Sequence, residues 1–464
     1  MRRVVVIGGG LAGITAALDC AAAGAEVTLL ESRGRLGGAA YSFVRDGLDV
    51  DNGQHVFLRC CTSYTALLQR IGARELVAIQ PQLSIPVLTP GRRPAWLQRN
   101  DLPAPLHLAG SILRYPLLSV RERLSVATAM QALGRVDPDD PAADARSFGD
   151  WLAAHGQGSR AVAAVWDLIG IATLNLCATD ASLAQAAYVF QQGLLGDRDA
   201  SDIGYALAPL GELHDVRARA ALTRAGVHVR LRTGAHAVEP AAGGFEIALS
   251  GAPTLVADAV VVAVQSHRAA ALLPSAAGVR TEDLHALGSS PIINVHVVFD
   301  RPVTGLAFAA TVDSPVQWVF DRTAAAGLDH GQYLALSISA ADELLHVPAE
   351  VLRQQLVPAL GAIFPAALEA AVERFFVTRE HAATFRAAPG SRALRPGSAT
   401  AIPGLALAGA WTDTGWPATM EGAVRSGHAA AVAIGAAVAT PGAAGVGHGD
   451  RTTGTGRPPA EVAA

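Results

Sequence analysis

The chain has 464 residues, of which 51% are hydrophobic and 16% charged, with 47 glycines; this sustains a sizeable core and excludes collagen, coiled coil and wholesale disorder. A formal net charge of −4 offers no broad basic field for phosphates, so no nucleic-acid partner is expected. The sequence has no lysine, all 36 basic residues being Arg, which excludes Schiff-base chemistry such as that of pyridoxal phosphate.

Met1-Arg-Arg3 followed by an apolar run to Ala23 has the outline of a signal peptide. Glycines at 8, 9, 10 and 13 break that run, and a second strand follows where a cleavage site would stand, so secretion is not expected. Instead Val4 to Ile7 predicts a buried parallel strand, Leu11 to Ala23 a helix stopped by Gly24, and Glu26 to Glu31 a second strand, together one βαβ unit. Strands are further predicted over Val227 to Leu231 and Asp258 to Val264, with a hairpin around Ala241 to Gly244 between them. Leu405 to Ala408 predicts a short strand that leads, through Trp411 to Pro417, into a helix from Thr419 to Ala439. The stretches 61–204 and 276–375 carry most of the Trp and Tyr and read as a second domain inserted twice. From Thr440 the chain is rich in Gly, Ala, Thr and Pro without periodicity, predicting a disordered tail over 440–464. The expected fold is thus α/β, a Rossmann-type nucleotide-binding domain (1–60, 205–275 and 376–439) with a discontinuous α+β substrate domain.

Gly8-x-Gly10-x-x-Gly13 directly follows the first strand and opens a helix at Leu11 and Ala12. In that context the first glycine permits the turn, the second lets backbone approach a pyrophosphate, and the third lets helix and strand pack closely. Glu31, followed by Ser32 at the end of the second strand, suits the adenosine ribose and repels a 2′-phosphate, disfavouring NADP. Arg33 to Gly38 follows at once; its arginines and the pair Gly37-Gly38 suit a second approach to phosphate, pointing to FAD rather than NAD. In Trp411 to Gly422, Thr419 can cap a helix starting at Met420, whose free N–H groups would favour the negative charge of a reduced flavin.

Gly8 to Gly13, Glu31, Arg35 to Gly38 and Leu407 to Gly427 resemble the FAD-dependent amine oxidase and phytoene desaturase superfamily. More closely, Asp51-Asn-Gly-Gln-His55, Leu174-Asn175, Ser290 to Arg301, Trp318 to Arg322 and Arg379 to Phe385 resemble the bacterial hydroxysqualene dehydroxylases. The resemblance implies FAD held by Gly8, Gly10, Leu11, Ala12, Gly13, Glu31, Ser32, Arg35, Gly37, Gly38, Gln54, His55, Val229, Gly409, Thr419 and Met420. It also implies a place in squalene and hopanoid biosynthesis, exchanging the hydroxyl of hydroxysqualene for hydrogen. Ala39 and Ala410 depart from the family pattern, an Arg and an acid respectively, and the loss of those contacts is expected to weaken FAD binding.

That reaction needs hydride delivery and protonation of the departing oxygen. Among His55, Asp413 and Glu421, His55 is the expected donor because the ordinary imidazole titrates near neutrality; Asp413 is the second catalytic candidate. Asp51 is expected to shape a turn, and Asn175 to orient substrate or backbone. There is no second GxGxxG, so the unidentified electron donor, NAD(P)H or a redox protein, would visit transiently. GxSxG and HExxH are also absent, leaving hydrolase and zincin readings without support. Cys20, Cys60, Cys61 and Cys177 form no CxxC pair and no zinc-ligand spacing, so no metal is expected and a reduced, cytoplasmic protein is. The longest uninterrupted apolar run near the C-terminus, Ala429 to Ala439, has 11 residues, short of the ~20 of a membrane span. Pro103 to Leu118, with Arg114 and Arg121 beside it, fits either a buried core helix or a shallow peripheral contact on the inner face of the membrane. An apolar isoprenoid would be lined by Leu106 to Leu118 and Trp151 to Leu176. The rival readings are an isoprenoid desaturase or amine oxidase with reversed electron flow, and a flavin-binding carrier without turnover.

Overall fold

A computed structural model describes residues 1–436; the expected disordered tail and the last three residues of the expected C-terminal helix lie outside the described residues. Five parallel strands, β1 (Arg3–Ile7), β2 (Glu26–Leu30), β3 (His228–Arg230), β4 (Ala259–Val262) and β5 (Leu405–Leu407), form a sheet in the order β3-β2-β1-β4-β5. The β-branched run of β1 sits at its centre, Val6 pairing with both Leu29 and Val261. Successive side chains of a strand point to opposite faces, and β1 divides accordingly. Val4 and Val6 join the core of helices α1 (Leu11–Ala22) and α2 (Met420–Ala433), whereas Val5 and Ile7 join the core beneath the antiparallel meander Ala235–Ala241, Gly244–Leu249 and Ala252–Ala257. The hairpin expected at Ala241 to Gly244 is the first turn of that meander.

A second sheet has seven strands, in the order Val372–Thr384, Ser290–Phe299, Gln332–Ser339, Trp318–Asp321, Phe308–Thr311, Ser84–Leu88 and Ala95–Gln98. Phe308–Thr311 and Ser84–Leu88 pair in parallel, joining two blocks of chain far apart in sequence. Along Ser290–Phe299, Ile293, Val295 and Val297 face the helix Ala349–Ile363 through Leu352, Leu356 and Leu360, which leaves Asn294 and His296, both fully buried, on the other face.

The strand Val372–Thr384 runs unbroken through position 375, because its ladder with Ser290–Phe299 continues to the pair Ser290 and Thr384. Helix Thr62–Ile71, expected in the substrate domain, packs Tyr64, Leu67, Leu68 and Ile71 into the core of α1 and α2. The expected lining Leu106 to Leu118 is divided: Leu117 and Leu118 are buried, whereas Leu106 and Leu113 face solvent.

Candidate active site

The turn after β1 is built for close approach. A Cβ on Gly13 would lie 1.9 Å from the Gly8 carbonyl oxygen and one on Gly8 2.3 Å from that of Ala263, so both glycines are demanded by the protein's own packing. Gly10 differs: its added Cβ would meet nothing nearer than the Gly38 Cα at 3.7 Å. The space beside it is what a pyrophosphate needs at the N-terminus of α1. Gly38, at φ +58° in the loop after β2, lies against Gly10, where an added Cβ would come 2.8 Å from the Gly10 Cα. The Glu31 carboxylate is buried and accepts from the N–H groups of Gly9 and Arg33, both at 2.8 Å, and from the Ser32 hydroxyl at 3.2 Å. Val229 is paired with Leu29 just before it. Arg35 stacks 3.3 Å from the centre of the Tyr41 ring and donates to the carbonyls of Leu36 and Gly38; burial, with Arg33 nearby, lowers its pKa.

From Gly38 the chain is tied directly to the second station. Asn52 donates from Nδ2 to the Ala39 carbonyl at 2.8 Å and to Glu380 at 3.1 Å, and accepts from Tyr41 N–H at 2.9 Å. The Tyr41 hydroxyl donates to Glu380 as well. A Cβ on the next residue, Gly53, would lie 3.2 Å from Asn294 Nδ2 and 3.4 Å from His55 Nε2, so both side chains flank this glycine. Two polar atoms here have no hydrogen-bond partner among the described residues, Gln54 Nε2 and Asn294 Oδ1. A buried donor and a buried acceptor left open together are costly unless a ligand satisfies them. With the vacant flank of Gly10, they make this a site that fits the FAD the glycine pattern implies.

Burial, with His214 as its neighbour, lowers His55 to about 4, so its imidazole is neutral at pH 7. The ordinary titration that suggested a proton donor is therefore not what the site offers; a neutral ring can still donate a hydrogen bond. His214 is likewise lowered to about 4 by burial and lies between Ala40 O and the Tyr64 hydroxyl, at 3.1 and 2.8 Å. It stands in a π-turn, Glu212–Arg217, a local widening common at functional sites.

The third station closes from the C-terminal side. Thr419 caps α2, accepting from Gly422 N–H at 3.1 Å, and Gly427 lets α2 lie against α1, where a Cβ would come 2.4 Å from Ala12 O. Gly409, at φ +147°, donates its N–H to Ser426 Oγ at 2.8 Å. Glu421 is committed elsewhere: its buried carboxylate accepts from Ser63 and Tyr64 N–H, at 3.1 and 2.7 Å, and from Arg425 at 2.7 Å. It caps the helix Thr62–Ile71 rather than serving as an acid. Asp413 does not join the convergence. Its carboxylate accepts from Gly415 N–H at 3.1 Å and lies 3.9 Å from Arg392, on an exposed turn.

What holds that loop is Arg395. Buried against the Phe385 ring at 4.8 Å, it donates to the carbonyls of Trp411, Thr412 and Trp416 at 3.2, 2.6 and 2.7 Å, and burial lowers its pKa to about 10. A lone Arg before a proline carries no sequence pattern, and neither Arg395, His214, Asn294 nor Glu380 stands out by spacing. Asn175, at φ +56°, accepts from Ala340 N–H at 2.6 Å and donates to Ser290 O at 2.9 Å, so it orients backbone. Among the described residues no group of His, Cys, Asp or Glu could hold a metal ion.

The model of the flavin containing amine oxidoreductase family matches residues 11–435. Hydroxysqualene dehydroxylases of Rhodopseudomonas palustris and Sinorhizobium fredii are 30% and 29% identical, each match covering 93% of this chain and 97% of the relative. The zeta-carotene desaturase of Synechocystis is 26% identical over the same shares. Among solved structures, putrescine oxidase bound to putrescine superposes with a TM-score of 0.70 at 19% identity, over 93% of this chain and 98% of that one. Cyclohexylamine oxidase from Brevibacterium oxydans does so at 0.69 and 21% identity, over the same shares; both likenesses concern the fold.

Proposed function

The chain belongs to the flavin containing amine oxidoreductase family and is an FAD-dependent oxidoreductase, and from that premise we propose that it replaces the hydroxyl of hydroxysqualene with hydrogen to give squalene. The observation that carries this reading is the likeness to two hydroxysqualene dehydroxylases over 97% of their lengths. Per turnover, one hydride reaches the carbon that loses its hydroxyl, and one proton accompanies the oxygen away as water. FAD, when bound and reduced by two electrons, would supply the hydride and return to its oxidised form. The chain's own residues do the rest. Gly8, Gly10, Gly13, Glu31, Arg35 and Gly38 bind the nucleotide half, and the N-terminus of α2 at Thr419 and Met420 favours negative charge beside it. Gln54 Nε2 and Asn294 Oδ1 offer an open donor and an open acceptor to the ring or substrate. The neutral His55 N–H orients the departing oxygen by hydrogen bonding, and the proton itself comes from solvent or a transient donor. Electrons arrive from a nicotinamide nucleotide or a redox protein that visits the site.

The decisive experiment is anaerobic incubation of FAD-loaded protein, chemically reduced, with hydroxysqualene, followed by mass analysis of the extracted lipid. Squalene formed together with flavin reoxidation is the expected result, and His55→Gln should lower turnover while retaining flavin absorbance. The likeness to the zeta-carotene desaturase favours one second reading, removal of hydrogen by the oxidised enzyme. Flavin bleaching with squalene or a carotenoid precursor under anaerobic conditions, and no squalene in the first assay, would establish that reading instead.

A further inference from the structure

Among the described residues, six large apolar side chains between 42% and 69% exposed fall within one short stretch: Trp96, Leu102, Leu106, Leu113, Val120 and Leu124. They belong to a single packed unit. Ser111 Oγ accepts from Gln98 N–H and donates to Trp96 O, both at 3.0 Å, fixing helix Ala109–Arg114 to the hairpin strand Ala95–Gln98. Arg123 donates to Leu113 O at 2.8 Å and Leu118 O at 3.0 Å, fixing helix Val120–Leu133 to the same helix. Asn100 N–H donates to His107 O at 2.8 Å, bringing the Leu102 loop onto the turn that carries Leu106.

The charge around this face differs from that of the chain. Residues 92–124 hold six Arg against Asp101 and Glu122, a balance of +4 in a protein of net −4. Arg99 is used internally, bound to buried Asp202 at 2.6 Å, and Glu122 is folded onto the Ser119 cap at 2.7 Å. What remains at the rim is Arg92, Arg93, Arg114 and Arg121, all exposed, opposed by Asp101. Exposed long apolar side chains and exposed Arg on one packed unit suit an interface of acyl chains below and anionic headgroups above. A second copy of the chain fits poorly, because an isologous contact would set this basic rim against itself.

We propose that this face docks on the surface of a bilayer containing anionic phospholipid. The inference rests on the isoprenoid reading for its purpose, since such a substrate resides in the bilayer. The unit packs through Leu117 and Leu118 into the core that includes Phe190; two residues before it, Tyr188 meets Trp416 of the Arg395-held loop at 5.6 Å.

The test is flotation of FAD-loaded protein with vesicles of phosphatidylcholine alone or mixed with phosphatidylglycerol. The wild type is expected to float with the mixed vesicles, and less so at about 1 M salt, where charges are screened within ~3 Å. L106D/L113D should lower binding roughly tenfold or more, from the apolar area withdrawn, and R114Q/R121Q should abolish the preference for phosphatidylglycerol. Wild type that does not float with mixed vesicles, or an L106D/L113D variant that floats equally well, would overturn the proposal; so would a dimer in sedimentation that this variant dissociates. Retained flavin absorbance and circular dichroism verify folding. Turnover of hydroxysqualene in detergent micelles should be the same in wild type and L106D/L113D; its failure in both would count against the substrate reading while leaving the docking result to stand.

Discussion

Asp51 and Arg322, 271 residues apart, form a buried ion pair at 2.8 Å. The Asp51 carboxylate also accepts from Ser42 Oγ at 2.6 Å and Leu210 N–H at 2.9 Å, and Arg322 donates to Ala206 O at 2.7 Å. The residue expected to shape a turn in fact fastens the strand leading to Gly53 and His55 onto the second sheet, where Arg322 follows Trp318–Asp321.

Removing one partner strands the other charge in the interior. Arg322→Met is therefore expected to cost about 3–5 kcal/mol, and the double change Asp51→Asn with Arg322→Met less than the single. Urea unfolding of Asp51→Asn, Arg322→Met and the double variant measures this, and a double variant whose loss is the sum of the two single losses would show that the pair is not coupled.

Gly10 and Gly13 should separate cofactor binding from folding. Gly13→Ala drives a Cβ to 1.9 Å from the Gly8 carbonyl and is expected to yield little folded protein. Gly10, at φ −77° and ψ 177°, already has a conformation open to Ala, and its Cβ would find free space. Gly10→Ala should thus fold within about 1 kcal/mol of wild type, yet purify without yellow colour, the methyl standing where pyrophosphate must come. Equal flavin content in Gly10→Ala and wild type would place the phosphates elsewhere.

Arg395 positions the loop Ala410 to Trp416 through its carbonyls, and those acceptors are left unmet when it is removed. Arg395→Leu is expected to lower stability by about 2–4 kcal/mol and to speed flavin release, followed by recovery of free-flavin fluorescence. Arg395→Lys keeps the charge but cannot reach three carbonyls with a planar fork, so it should fall between the two. Release rates alike in all three proteins would remove Arg395 from cofactor retention.

Three histidines held neutral by desolvation make the protein sensitive to acid. Burial lowers His55 and His214 to about 4 and His296 to about 3, whereas the unfolded chain takes up the same protons near the ordinary value of about 6.5. The folded state then binds fewer protons between those limits, so stability is held above about pH 6.5 and declines as pH falls toward 4, by up to ~1.4 kcal/mol per pH unit for each histidine. Urea midpoints at pH 7.5, 6 and 5 test the slope; His214→Gln should flatten it, and a midpoint indifferent to pH would show that these rings are protonated in the fold.

Much of the nucleotide half was legible because its determinants are local. The β-branched run Val4 to Ile7, the glycines at 8, 10 and 13 and the acid at 31 act within one βαβ unit, whose strand and turn geometry leaves few alternatives. The Thr419 cap is local in the same way. What the tertiary structure alone decided is what distant segments do to one another. Helix Thr62–Ile71 passed to the nucleotide side because Glu421, more than 350 residues away in the chain, caps it. Asp413 turned outward while Arg395 took the interior of the same loop, a choice set by which side chain could find carbonyls there. His55 keeps its place beside Gly53, but burial and His214 decide its protonation, and no spacing in a sequence carries the cost of desolvating a charge.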